Sequence, residues 1–180
     1  MAQTNDPTLS LSDEAISLIQ ESHSVAASVM PQVVENFYSR LFTRHPALRA
    51  MFPSDMNRQR EHLTIAIALV ARNASRLDLL SEPLRQLGAR HVAYGAKADH
   101  YPVVRDLMLE SLAEVLGGAW TPLHHRAWHG ALTAVAAVML TGAADYERAV
   151  KQQSAAADGG SSHAVAEAGL PLERHPHTLP

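Results

Sequence analysis

Apolar residues recur every three to four positions along most of this chain, and apolar–polar alternation never persists long enough to build a strand. That single periodicity confines the fold to packed helices. Aromatic residues make up only 5% of the chain, and alanine is abundant, which favours helix over sheet. Prolines and glycines break the pattern at uneven intervals, and no heptad register survives. Unequal helices without a heptad pack obliquely, unlike a regular four-helix bundle. The expectation is an all-α domain of six to eight helices.

The helix boundaries follow from capping residues. Ser10 or Ser12 suits an N-cap, with Asp13 and Glu14 favourable to the helix dipole. Ile16, Ile19, Val25, Ala26 and Val29 form the expected inward face of this first helix. Pro31 opens a second, PQVVENFYSRLFTRH, whose Val34, Phe37, Tyr38, Leu41 and Phe42 share one face. Pro46 starts a short turn, PALRAMF, which Pro53 stops. A long helix over residues 57–73 carries the stripe Gln59, Leu63, Ala66, Ile67 and Val70. The shorter SEPLRQLGARH follows, with Pro83 in its first turn.

The next helix begins around Asp99 and Pro102, buries Val104, Leu107, Met108, Leu112 and Val115, and ends at Gly117-Gly118. Thr121-Pro122 caps a last helix running to about Tyr146, with Leu123, Ala127, Ala131, Val135 and Val138 inward. Residues 1–9 and 151–180 read as disordered tails around a domain at 10–150. The second tail holds His163, His175 and His177, which on this reading are solvated.

With 47% hydrophobic and 18% charged residues in 180, one sizeable core is expected. Fifteen basic against eighteen acidic side chains give a net charge of −3, which argues against a nucleic-acid partner. Without cysteine, disulfides, thiolate metal sites and a thiol nucleophile are impossible. The N-terminus lacks the pattern of a secretory signal, and no uninterrupted apolar run approaches the roughly 18 residues of a membrane span. A soluble, cytoplasmic protein without membrane contact is the expectation. Eleven histidines are the first chemical hint.

Three polar residues stand on faces that otherwise read as core: Tyr38, Gln59 and His91. Each alone has an ordinary reading as a core His with satisfied nitrogens, a Tyr with a wet hydroxyl or an exposed Gln. Their spacing adds information. Tyr38 lies fourteen residues before Phe52, Phe52 seven before Gln59, and His91 thirty-two after Gln59. The surrounding words are FYSRLFTRHPALRAMF, QREHL, LGARHVAYG and HYPVV, then WTP and AW.

Over roughly residues 10–148 the chain resembles the globin family, most closely bacterial single-domain haemoglobins and the globin domain of flavohaemoglobins. The resemblance implies a globin fold holding one haem between the long helix and the His91 segment. The haem would be of the b type, because no C-x-x-C-H word is present for covalent attachment. His91 matches the proximal iron ligand, whose Nδ1–H needs an acceptor. Phe52 matches the phenylalanine that packs on the porphyrin. Tyr38 and Gln59 match the distal pair that donates hydrogen bonds to a gas ligand, and Leu63 the apolar residue that closes that pocket. Leu87, one turn before His91, joins the haem-contact set. His62 suits a haem propionate, or iron as a sixth ligand.

Tyr101 matches a proximal tyrosine that, in flavohaemoglobins, works with a last-helix glutamate accepting the proximal Nδ1 proton. That glutamate position falls on Ala143, which implies weaker electron donation from His91. FAD and NAD modules follow the globin in flavohaemoglobins, whereas this chain contains no G-x-G-x-x-G loop. Redox turnover would therefore need a separate reductase. The expected function is reversible binding of dioxygen and related diatomics, nitric oxide and carbon monoxide among them. Nitric oxide dioxygenation with a partner reductase and haem-based gas sensing are the alternatives. Among the other histidines, His125 and His129 are spaced as a two-ligand face but read as solvated, and His45 and His100 as surface or turn residues.

Overall fold

The computed structural model describes residues 9–161, with side chains to residue 155. Six α-helices are found among them: α1 Asp13–Ala26, α2 Met30–Arg44, α3 Asn57–Arg72, α4 Ser81–Ala93, α5 His100–Leu116 and α6 Pro122–Ser161. Short 3₁₀ segments cover Pro46–Met51, Ala74–Leu80 and Gly117–Ala119. No strand occurs among the described residues. The caps account for the boundaries. The Ser12 side chain accepts from the Ala15 N–H at 3.2 Å to start α1. Gly117, at φ 51°, ends α5 with a left-handed residue.

The start of α6 is a capping box with histidine in the usual glutamate position. Thr121 Oγ1 accepts from the His124 N–H at 3.4 Å, and His124 Nδ1 accepts from the Thr121 N–H at 3.2 Å. His100 Nδ1 accepts from the Lys97 N–H at 3.2 Å in the turn that enters α5, in keeping with the turn position expected for it.

One core joins all six helices, with Ile19, Val33, Val34, Leu41, Leu77, Leu109, Leu112 and Trp128 essentially without solvent contact. The buried Trp128 indole donates to Ser22 Oγ at 2.8 Å, tying α6 to α1. Arg40 and Arg44 on α2 meet Glu110 and Glu114 on α5 in ion pairs at the surface.

Several expected inward residues lie outside. Val25, Val29, Val104 and Leu123 are exposed, and Ser22 takes the buried position on α1. A hydroxyl buried among apolar neighbours is tolerated because Ser22 Oγ also donates to the Leu18 carbonyl at 2.6 Å. Leu9, read as part of the N-terminal tail, is buried in the core. Burial of its apolar side chain anchors the entry to α1.

The last helix does not stop near Tyr146, nor does irregular chain begin at 151; α6 runs on to Ser161. Lys151, Gln152, Gln153 and Ala155 are good helix formers, so the preceding helix propagates through them. Residues 147–155 are exposed along this extension. The expectations for residues 1–8 and 162–180, including His163, His175 and His177, lie outside the described residues. By length and composition alone α6 would also pass for a membrane span over Pro122–Ala155, although no uninterrupted apolar run was evident in the sequence. Its packing face, Ala127, Trp128, Ala131, Ala134 and Val138, is buried in the core.

Candidate functional site

Helix α4 is held chiefly by α6 and by the preceding 3₁₀ segment, whereas α3 and α4 make at most slight contact with each other. The polar residues singled out in the sequence lie on the elements that flank this separation. Tyr38 is on α2, Gln59 and Leu63 on α3, and Leu87 and His91 on α4. Phe52 follows the 3₁₀ turn, and Tyr101 lies in the first turn of α5.

Tyr38, Phe42 and Phe52 form a mutually contacting aromatic group. Tyr38 stacks on Phe42 with centroids 5.8 Å apart, and Phe52 meets both rings edge-on at 5.7 and 5.3 Å. Phe37 adds a fourth ring, edge-on to Tyr38 at 4.9 Å. Tyr38 is only 3% exposed. Burial raises its pKa, and the nearby Gln59 side chain and the positive charge of Arg60 oppose that rise.

On α4 the His91 ring is half-buried, and its Nδ1 lies 2.8 Å from the Leu87 carbonyl. A proton on Nδ1 donates to that oxygen, which leaves Nε2 with a lone pair for a metal. Burial is the main cause that lowers the His91 pKa, with the Leu87 bond opposing and Arg90 assisting. The imidazole is therefore held in the neutral, ligating form. The acceptor is the backbone, and the side chain at 143 is a methyl group.

The placement of α4 depends on two glycines that the sequence reading passed over or noted only as neighbours. A Cβ on Gly88 would overlap the Met139 carbonyl of α6, and one on Gly142 would overlap the Arg85 backbone of α4. The two helices thus touch backbone to backbone, an approach only glycine permits. His91 stands one turn beyond this crossing. A lone glycine in a helical pattern is the available sequence signal for such a contact.

Arg49 was also missed, because PALRAMF reads as a surface turn. Its guanidinium donates to the carbonyls of Phe52, Pro53 and Ser54 at 3.1, 3.0 and 3.3 Å, and it lies 5.1 Å from the Phe42 centroid.

Tyr101 is half-buried, and its pKa is raised by desolvation. His62 is exposed. His125 and His129 are parallel neighbours with centroids 6.3 Å apart, yet no group of three or more metal-ligating side chains occurs among the described residues. Two surface clefts, one at Ser12, Leu18 and Arg126 and one at Gln20, His23 and Arg72, contain none of the site residues.

The donor set fits a haem and no protein-caged metal. It offers one neutral imidazole with a free Nε2, a phenol–amide pair, and the half-buried apolar side chains Phe52, Leu63 and Leu87 against the core. A metal held by a single protein ligand must bring its remaining ligands with it, as a porphyrin does.

The globin family model matches residues 35–139. The chain is 30% identical over 146 residues to the flavohemoprotein of Bacillus subtilis (strain 168), a match covering 79% of this chain and 37% of that protein. It is 28% identical over 133 residues to the flavohemoprotein of Vibrio cholerae, covering 72% and 34%. It thus spans about a third of the length of these relatives. Among solved structures, an engineered carbene transferase built on a candidate nitric oxide dioxygenase of Rhodothermus marinus superposes with a TM-score of 0.72 at 25% identity, covering 79% of this chain and 99% of that one. A bacterial globin from Campylobacter jejuni gives 0.69 at 21% identity, covering 76% and 99%. The fold, the donor set and the extent of the family match agree: the chain belongs to the globin family.

Proposed function

We propose that this globin binds one b-type haem through His91 and uses it to bind dioxygen and related diatomic gases reversibly. The observation that carries the reading is the His91 ring, oriented by the Leu87 carbonyl, on a chain whose buried Tyr38 packs against Phe42 and Phe52. When bound, the haem supplies ferrous iron, which takes up diatomic gases and donates electron density to them.

The chain's own residues then set selectivity. The Tyr38 O–H would donate to a ligand carrying partial negative charge, and the Gln59 amide N–H would reinforce it. A ligand with little negative charge, such as carbon monoxide, gains less from either. Phe52 and Leu63 would exclude water from the gas site, Leu87 would pack against the haem, and Tyr101 would contribute a neutral phenol to the proximal surroundings. His62, exposed on α3, would serve a haem propionate.

A spectrum of the purified protein tests the reading. Oxidised, reduced, and reduced with carbon monoxide, it should give the three distinct Soret bands of a haem with one histidine ligand. Lack of haem uptake on reconstitution would overturn the reading.

The flavohemoprotein relatives and the Rhodothermus neighbour support a second reading, dioxygenation of nitric oxide to nitrate. Electrons for repeated turnover would come from a reductase. With a generic reductase and excess NADH, sustained nitric oxide consumption supports the enzyme. A single stoichiometric burst that leaves ferric protein supports binding alone.

A further inference from the structure

From the geometry around Phe52 we infer that Arg49 is a positioning residue of the gas site, a bracket that fixes Phe52 against Tyr38 and so keeps water from the pocket. The inference rests on the haem reading above. Arg49 meets Phe52 through both of its backbone groups: the Arg49 carbonyl accepts the Phe52 N–H at 3.2 Å, and the Arg49 guanidinium donates to the Phe52 carbonyl at 3.1 Å. The same guanidinium gathers the carbonyls of Pro53 and Ser54. Three successive carbonyls therefore converge on one cation, two on one nitrogen of the guanidinium fork and the third on the other, a span that the compact ammonium of lysine matches less well.

No carboxylate competes for the guanidinium among the described residues. Its remaining contact is the Phe42 ring, 5.1 Å from centroid to guanidinium carbon. Phe42 in turn touches both Tyr38 and Phe52. One side chain thus grips the loop that presents Phe52 and the ring that supports it. Phe52 itself has extended backbone, φ −115° and ψ 151°, outside any helix. Its N–H closes the last 3₁₀ turn on the Arg49 carbonyl, but no helical bond reaches its own carbonyl, and Pro53 has no N–H with which to help. The bracket supplies the missing constraint.

The test uses the haem-loaded protein and the variants Arg49→Ala and Arg49→Lys. Three readouts are taken: the rate at which ferrous protein in air becomes ferric, amide hydrogen exchange over residues 51–57, and the iron–histidine stretching frequency. Arg49→Ala should speed both oxidation and loop exchange roughly three- to tenfold, the effect of about one lost hydrogen bond's worth of order. The iron–histidine frequency should stay unchanged, because the bracket does not touch α4. Arg49→Lys, which keeps the cation without the fork, should recover only part of the loss.

Faster loop exchange with unchanged oxidation would overturn the inference by reducing Arg49 to a loop clamp. Unchanged oxidation and exchange would overturn it outright, and full recovery by lysine would overturn the fork argument. Wild-type protein that takes up no haem would instead defeat the haem reading, an outcome visible before any variant is made.

Discussion

The two walls of the proposed haem site are built from different materials. The wall that carries Tyr38 is made of side chains: three aromatic rings in mutual contact, an amide against a phenol, and a guanidinium across one end. The wall that carries His91 is made of backbone: glycine crossings between α4 and α6, and a main-chain carbonyl as the histidine's partner. Side chains exchange rotamers and tolerate substitution one at a time. Backbone contacts move only when whole helices move. On the proposed haem reading, the first wall is therefore where gas affinity would be tuned, and the second where haem attachment and fold stability would be fixed together.

The strongest way to break that distinction is Gly142→Leu. Four carbon atoms introduced against the Arg85 backbone must separate α4 from α6, at a cost of about 3 kcal/mol or more. Thermal unfolding of the haem-free protein should show a midpoint lowered by roughly 6–12 °C, and haem retention should fall with it. A neutral result would mean that the crossing is not tight. His91→Ala comes next. It should sharply weaken haem retention, read as haem transfer to an acceptor protein, while leaving helix content near wild type. Normal haem stoichiometry and an unchanged ferrous spectrum would remove His91 from its role.

On the other wall the expected effects are functional and smaller in stability. Tyr38→Phe keeps the ring contacts and deletes one hydroxyl. A charge-assisted hydrogen bond is worth about 1.5–3 kcal/mol, so dioxygen release should accelerate about ten- to a hundredfold. Carbon monoxide release should change much less. Equal acceleration of both ligands would indicate a loosened pocket instead of a lost hydrogen bond.

The smallest effect is on pH dependence. His91 and His23 both have lowered pKa values in the folded chain, chiefly from burial. A histidine whose folded pKa lies below its ordinary value of 6.5 stabilises the fold above that pH, where it is neutral in both states. The unfolded chain takes up the proton first as pH falls, so that stability declines below about 6.5. Urea unfolding of haem-free protein at pH 7 and pH 5 should show this loss. His23→Gln and His91→Gln should each shrink it, and a slope unchanged by both would exclude these two groups as its source.

The difference between the walls also explains what could be read in the sequence. Tyr38, Phe52, Gln59 and His91 are distinctive residue types at distinctive spacings, and helical period alone puts Phe37, Leu41 and Leu107 in the core. A backbone carbonyl has no residue identity, so Leu87 could be named as a neighbour of His91 but not as its acceptor. Gly142 reads as an ordinary weak point in an alanine-rich helix until its neighbour across the crossing is known. Arg49 reads as a solvated charge because its partners are carbonyls, which any sequence supplies. Val25 and Leu123 fit an apolar stripe, yet they fall at the margins of helices whose rotation is set by tertiary packing. The extension of α6 beyond residue 150 escaped for the opposite reason: its composition is polar, but polar residues with good helix propensity continue a helix without any core to cover.

The bond between Trp128 and Ser22 gives the molecule a built-in optical probe. The chain has two tryptophans; both lie near the start of α6, with Trp128 at 0% exposure and Trp120 only partly covered and stacked on His124. Emission from Trp128 should be blue-shifted and should redden when α1 leaves α6, whatever happens around Tyr38. Haem uptake, by contrast, should dim both indoles through energy transfer without changing the colour of Trp128. Wavelength and intensity in one fluorescence trace would then report on separate events, assembly of the helical body and arrival of the prosthetic group.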